Sequence, residues 1–126
     1  MISLLDYGAG NVRSVINALE KLGETVQIIT AGDDIDRAER LVFPGVGSFG
    51  AMMQILREKH YIAPLQNYLR SGKPFFGICL GLQALFDESE EAPGIAGLSI
   101  IPGEVKRFAI DRAVPHIGWN GIKVQQ

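Results

Sequence analysis

The sequence predicts an α/β fold, with a doubly wound, mostly parallel sheet and helices on both faces. Short apolar runs alternate with helical patterns through residues 2–86, and glycine or proline stands at most of the junctions. Strand–helix alternation of this kind indicates a parallel sheet covered on both sides, and right-handed crossovers make it doubly wound. The 126 residues suit one domain with a substantial core.

The first half of the chain contains three predicted strands separated by helical segments. A glycine-bounded turn over residues 6–10 follows the first strand. Asn11 then suits the N-cap of a helix that ends at Gly23. The predicted strands span 2–6, 25–29 and 40–43, a short helix lies within 30–39, and the apolar stripe of the first helix holds Val12, Val15, Ile16, Leu19 and Leu22.

The second half begins with a glycine-rich turn over residues 44–50. A helix over 51–70 should follow, broken near His60 or Pro64 and stopped by Gly72. A fourth strand is predicted over 74–78, with the next helix over 80–86. Beyond residue 92, turns separate short apolar pieces that predict an antiparallel C-terminal portion, at 98–101, 104–108 and 121–124.

Composition excludes several classes of function. The net charge of -2 gives no reason to expect a nucleic-acid partner or an anionic membrane. No apolar run approaches the roughly 20 residues of a membrane helix, and the N-terminus lacks the pattern of a signal peptide. The single cysteine forms no internal disulfide or CxxC metal pair. We therefore expect a reducing, cytoplasmic setting, with neither metal nor cofactor.

Cys79 is the strongest candidate for chemistry. A predicted strand runs into it, a helix leaves it, and Gly77 and Gly81 flank it, which is the cysteine form of the G-x-S-x-G nucleophile elbow. The turn would place the sulfur at the carboxyl edge of the sheet, facing a helix N-terminus that attracts negative charge. The amide of Leu80 could donate to an oxyanion at the same point. The alternative is that a lone cysteine is a small buried hydrophobe.

The segment from Gly45 to Gly50 matches G-x-G-x-x-G, so a dinucleotide site is one interpretation. The motif follows the third predicted strand rather than the first, and no acidic residue about 20 positions later would hold a ribose. Alternatively, the turn lies beside the elbow, and Val46 or Gly47 supplies a second oxyanion amide. A third possibility is a tight turn without chemistry.

Residues 114–120 contain Trp119, the one tryptophan, and His116, one of two histidines. Trp119 could be simple packing or, if exposed, an anchor for a partner protein. Nothing in the spacing supports His116 as a base for Cys79, and His60 is expected to be solvated. Gln83 lies four residues after Cys79, so both could face the same pocket.

Taken together, these motifs resemble the glutaminase subunits of imidazole glycerol phosphate synthases, which are class I, triad-type glutamine amidotransferases of histidine biosynthesis. The elbow alone would indicate only class I amidotransferases, and the other segments narrow the resemblance to this family. The matching segments are 6–11, 44–50, 77–83, 90–94 and 115–120.

The resemblance implies that Cys79 attacks the side-chain amide of glutamine and forms a glutamyl thioester, releasing ammonia. The amides of Leu80 and of the Val46–Gly47 segment would stabilise the oxyanion, and Gln83 would contact glutamine. The ammonia would pass to a (β/α)8-barrel cyclase partner. Positions implied at the cyclase contact are Asn11, Pro115, His116, Trp119 and Asn120.

One departure from the family is large. Its base is a histidine, oriented by a glutamate two residues later, on a strand beyond the Trp-Asn segment, and this sequence contains neither residue. We therefore expect a single glutaminase-type domain over 1–126 that is incomplete at its C-terminus and has little activity alone. Two other hypotheses stay open: a nucleotide-dependent enzyme using residues 45–50, and a non-catalytic binding module in which Cys79 is structural.

Overall fold

A four-stranded parallel sheet forms the centre of the protein. The computed structural model describes residues 1–8 and 11–125. Ala9 and Gly10 of the predicted turn, and Gln126, lie outside the described residues. The strands are β1 (Ile2–Leu5), β2 (Val26–Ile29), β3 (Leu41–Gly45) and β4 (Phe75–Cys79), in the spatial order β2-β1-β3-β4.

Helices cover both faces of this sheet, so the predicted doubly wound α/β fold is confirmed. One helix packs on one face, against Ile2, Leu4 and Val42. The others pack on the opposite face, around Leu5, Leu41 and Phe43. Alternating strand residues thus feed two separate cores. The helices are α1 (Val12–Lys21) on the first face, and α2 (Gly32–Arg37), α3 (Phe49–Glu58), α4 (Ile62–Arg70) and α5 (Leu80–Gln83) on the second.

The predicted break in the long helix is confirmed at His60. The helix α3 ends at Glu58, and His60 has a φ of +60° before α4 begins. Pro64 lies in the first turn of α4, where a missing N–H removes no intrahelical bond. The prediction that Leu22 belongs to the apolar stripe of α1 is wrong. Leu22 follows the last helical residue and is 78% exposed.

The predicted antiparallel C-terminal portion is wrong. Two short strands, β5 (Glu88–Ser89) and β6 (Glu104–Val105), pair with each other in parallel. The apolar pieces at 98–101 and 121–124 form no strand. The described residues 106–125 contain neither helix nor strand and are almost wholly exposed. We call residues 106–125 the C-terminal segment. Within the described parts of the chain, no helix is both long and apolar enough to cross a membrane.

Candidate active site

The carboxyl ends of β1, β3 and β4 gather at one edge of the sheet. After β1 the chain passes to α1 on one face, and after β3 it passes to α3 on the other. The boundary between β1 and β3 is therefore a topological switch point, where open α/β sheets bind ligands. Gly45 at the end of β3 is the register partner of Cys79 at the end of β4. The predicted nucleophile thus lies one strand from the switch point.

Cys79 occupies a strained turn between β4 and α5. Its φ and ψ are 55° and -114°, a conformation that non-glycine residues rarely adopt, and the residue is exposed. A Cβ on Gly77 would lie 2.8 Å from the backbone of Gly81. One on Gly81 would collide with the carbonyl oxygen of Phe43. The predicted elbow geometry is confirmed, and both glycines are required by close backbone approach. The buried-hydrophobe alternative for Cys79 is wrong.

The helix after Cys79 is shorter than predicted. It ends at Gln83 rather than Phe86, so it is barely one turn and has little macrodipole. The amide of Leu80 is its first N–H, which has no carbonyl partner within the helix. The elbow therefore offers a single free N–H at this point rather than a long helix dipole.

The glycine-rich turn connects β3 to α3 next to the elbow. Pro44 and Gly45 belong to β3, and Ser48 caps α3 by accepting a hydrogen bond from the Ala51 amide at 3.2 Å. Val46 is 51% exposed. Gly47 has a φ of +99° and open space where a side chain would be. The Val46–Gly47 segment is therefore open to solvent beside the elbow.

Two of the three glycines of the G-x-G-x-x-G pattern, Gly45 and Gly50, face other parts of the chain. A Cβ on Gly45 would lie 2.9 Å from both Leu80 Cβ and the Tyr7 hydroxyl. One on Gly50 would lie 3.3 Å from Ala92 Cβ. Gly45 and Gly50 thus permit internal packing, and only Gly47 is open. The turn follows β3 rather than β1, so its position in the fold does not support the dinucleotide interpretation.

Tyr7 is a residue of this edge that the sequence patterns did not single out. It follows β1, is 2% exposed, and its hydroxyl donates a hydrogen bond of 3.4 Å to the carbonyl oxygen of Val46. Burial raises the pKa of the Tyr7 hydroxyl, and this effect outweighs a hydrogen bond with the Val46 backbone that lowers it. A tyrosine after an apolar strand is no motif, so only the folded contacts reveal its place.

The other predicted site residues lie on different elements. Gln83 ends α5 and is half-buried. Asn11 caps α1, accepting a hydrogen bond from the Ser14 amide at 3.4 Å, as predicted. His116 pairs with Asn120 through a 2.8 Å contact between Nε2 and Nδ2. Trp119 is 104% exposed, so the packing interpretation of this residue is wrong. Pro115, His116, Trp119 and Asn120 all lie in the exposed C-terminal segment.

The described residues also include no cluster of three or more His, Cys, Asp or Glu side chains placed to hold a metal ion. The exposed thiol of Cys79 makes nucleophilic chemistry available at the carboxyl edge. A cysteine on a strained elbow, with backbone amides nearby, is the arrangement of acyl transfer through a thioester.

The parallel sheet and the exposed cysteine on its elbow together point to an α/β protein of the amidotransferase kind. The model of the glutamine amidotransferase class-I family matches residues 3–124, and the chain belongs to that family. A crystal structure of a glutamine amidotransferase superposes with a TM-score of 0.74 at 24% identity, over 90% of this chain and 59% of that one. A putative peptidase E from Listeria monocytogenes shares the fold, with a TM-score of 0.64 at 14% identity over 79% of this chain and 62% of that one.

Curated relatives narrow the resemblance further and confirm the family predicted from the motifs. The chain is 50% identical to the imidazole glycerol phosphate synthase hisHF of Schizosaccharomyces pombe, over 99% of this chain and 23% of that protein. It is 47% identical to an imidazole glycerol phosphate synthase subunit HisH of Desulfitobacterium hafniense, over 95% of this chain and 57% of that one. The Deinococcus radiodurans subunit HisH is 45% identical, over 98% of this chain and 59% of its own length. The chain therefore spans little more than half of these bacterial relatives.

Proposed function

We propose that this chain carries the nucleophile of a glutaminase that delivers ammonia to a (β/α)8-barrel cyclase. The cyclase would use it to make imidazole glycerol phosphate and aminoimidazole carboxamide ribotide in histidine biosynthesis. The observation that carries the proposal is the exposed, strained Cys79 at the carboxyl edge, beside the amide of Leu80 and the Val46–Gly47 turn. The high identity to relatives named for this synthase supports the choice of pathway.

In the proposed reaction, the Cys79 sulfur bonds to the side-chain carbonyl carbon of glutamine, and the carbonyl oxygen becomes an oxyanion. The C–N bond then breaks, the nitrogen takes a proton, and ammonia leaves a glutamyl thioester. Water adds to the thioester, which releases glutamate and restores the thiol. Overall, glutamine and water give glutamate and ammonia.

Backbone amides would hold the oxyanion in this scheme. The Leu80 N–H is the first donor, because it opens α5 directly after the nucleophile. The second would come from Val46 or Gly47, where the exposed turn leaves the backbone accessible to a bound substrate. Gln83, one helical turn from Cys79, would contact the bound glutamine.

The general base is not assigned to a residue of this sequence. His116 is held by Asn120 on the C-terminal segment. Following the family resemblance, we assign the base to a histidine outside this sequence, oriented by a glutamate. A thiol without a base has no efficient route for proton transfer to the leaving nitrogen.

The proposed partner surface includes Asn11 and the exposed residues Pro115, His116, Trp119 and Asn120. A fully exposed tryptophan with polar neighbours is typical of an interface anchor. Binding of the cyclase here would form a heterodimer if the barrel is a separate chain, and would shield ammonia from water during transfer. A free, exposed cysteine nucleophile suits the reducing cytoplasm.

The test is ammonia release from glutamine, with a cognate cyclase barrel and its nucleotide ligand present. This chain is compared with a version extended to the length of the bacterial relatives. We expect activity only in the extended version, stimulated by the cyclase and its ligand. Cys79→Ala should abolish it. Ser99→Ala is the matched control, because Ser99 has a similar φ of +53° but lies outside the edge.

Two outcomes would contradict the proposal. Activity that survives Cys79→Ala would remove the nucleophile assignment. An extended version that folds and binds the barrel, yet releases no ammonia, would favour a non-catalytic binding module of the same fold.

A further inference from the structure

The buried hydroxyl of Tyr7 has no role in the scheme above, although it reaches the turn beside the nucleophile. Tyr7 follows β1, and β1 and β4 flank β3 on opposite sides. The hydroxyl donates to the Val46 carbonyl oxygen at 3.4 Å. The tyrosine therefore ties the end of β1 to the turn that follows β3.

Space for this contact depends on Gly45. A Cβ there would meet the Tyr7 hydroxyl and Leu80 Cβ, each at 2.9 Å. The phenol thus reaches the point where the end of β3 meets the first residue of α5. Both segments proposed to supply oxyanion amides adjoin this point.

We propose that Tyr7 is a positioning residue for glutamine hydrolysis, which sets the orientation of the Val46–Gly47 peptide by holding the Val46 carbonyl. This inference rests on the proposed function. In a planar trans peptide the C=O and N–H point in opposite directions, so anchoring the oxygen also sets the direction of the Gly47 N–H.

Little else among the described contacts restrains this turn. The Val46 side chain is half-exposed, and Gly47 has no side chain and nothing within 4 Å of its Cβ position. Tyr7 itself is well fixed, because its ring meets Phe43 edge-on with centroids 5.9 Å apart. A rigid donor thus acts on a segment with few other described contacts. The phenol, whose ordinary pKa of 10.0 is raised further by burial, is in its protonated, donating form at neutral pH.

The experiment replaces Tyr7 by Phe in the full-length natural protein, which is assayed with its cyclase and nucleotide ligand. We expect kcat for glutamine hydrolysis to fall about 3- to 10-fold, the range that loss of one neutral hydrogen bond gives. The KM for glutamine should stay within about twofold, because the orientation of the peptide matters when charge develops on the substrate oxygen.

A second readout separates positioning from folding. Alkylation of Cys79 by iodoacetamide needs the sulfur but forms no oxyanion, so its rate should be unchanged in Tyr7→Phe. The matched control is Tyr68→Phe. Tyr68 is also buried and donates to a backbone carbonyl, that of Pro74 at 2.6 Å, but at the start of β4 rather than at its Cys79 end. The Tyr68→Phe variant should have a lower unfolding temperature and an unchanged kcat.

Failure of the positioning role of Tyr7 can be distinguished from failure of the proposed glutaminase function. If the unsubstituted protein releases no ammonia, the glutaminase assignment itself fails. If it is active and Tyr7→Phe keeps its kcat within twofold, Tyr7 has no positioning role. The role is also overturned if kcat and the alkylation rate fall together, or if Tyr68→Phe lowers kcat equally.

Discussion

Phe43 and Trp119 are both large aromatic side chains, yet they lie in opposite environments. Phe43 is 0% exposed in the middle of β3, whereas Trp119 is 104% exposed in the C-terminal segment. The backbone around Phe43 is paired with strands on both sides. Residues 106–125 have no such pairing among the described contacts. An apolar run therefore becomes a buried strand only where neighbouring strands satisfy its N–H and C=O groups.

The largest effect should come from truncating these two aromatics. Phe43→Ala should lower the free energy of unfolding by about 3–5 kcal/mol, because it leaves a cavity in the larger core. Trp119→Ala should change it by less than about 0.5 kcal/mol, yet weaken cyclase binding by about 2 kcal/mol or more. Urea unfolding and titration with the barrel measure the two quantities. A large loss of stability in Trp119→Ala would mean that the C-terminal segment packs after all.

A smaller contrast is expected between two glycines. Gly81→Ala places a Cβ against the Phe43 carbonyl and should destabilise the fold by about 1–3 kcal/mol. The control is Gly121→Ala in the C-terminal segment, where nothing lies within 4 Å, and it should shift stability by less than about 0.5 kcal/mol. Thermal unfolding of both variants tests this. Equal effects would show that Gly81 is not restricted by the elbow.

The smallest expected effect is on the pH dependence of stability, through the ion pair that joins the residues preceding β2 and β3. Arg40 donates two hydrogen bonds to Glu24, of 2.9 and 2.7 Å, and these bonds lower the pKa of Glu24 from its ordinary 4.5. The stability this adds is complete above that ordinary value and is lost as pH falls through the lowered pKa. Glu24→Gln should therefore reduce the acid-induced loss of stability seen in urea midpoints at neutral and acid pH.

The control for the ion pair lies next to the C-terminal segment. Glu104 and Lys106 are joined by one contact of 3.6 Å, without the two short hydrogen bonds of the Glu24–Arg40 pair. Glu104→Gln should leave the pH dependence of unfolding almost unchanged, since a single long contact between partly exposed charges contributes little. If both variants show the same pH profile, the Glu24–Arg40 pair contributes no more to the pH dependence of stability than the Glu104–Lys106 pair.

Much of the fold was predictable because its rules are local. Alternating strands and helices, the Asn11 cap, the helix break at His60 and the elbow around Cys79 each depend on residues within a few positions of one another. Prediction from local sequence failed where pairing between strands determines the length of an element. The strand predicted to end at Phe43 continues to Gly45, because Gly45 pairs with Cys79 on β4.

The candidate site divides in the same way. Cys79 and Leu80 were found from glycine spacing, and the Val46–Gly47 turn from its position after a strand. Their roles stay predictions until activity is measured. Tyr7 was not found, since its contact with Val46 joins residues 39 positions apart. The apolar pieces after residue 92 were assigned to antiparallel strands because their composition suits a sheet, yet only Glu104–Val105 pairs, and in parallel.

The sequence by itself therefore determined the order of the elements and the elbow that exposes Cys79. Both follow from backbone preferences that act within one turn or one strand. Only the tertiary structure decided which apolar runs were buried, how far β3 extends, and that the Tyr7 hydroxyl holds the turn beside the nucleophile. These features depend on contacts between distant parts of the chain, whose formation requires the sheet to be assembled first.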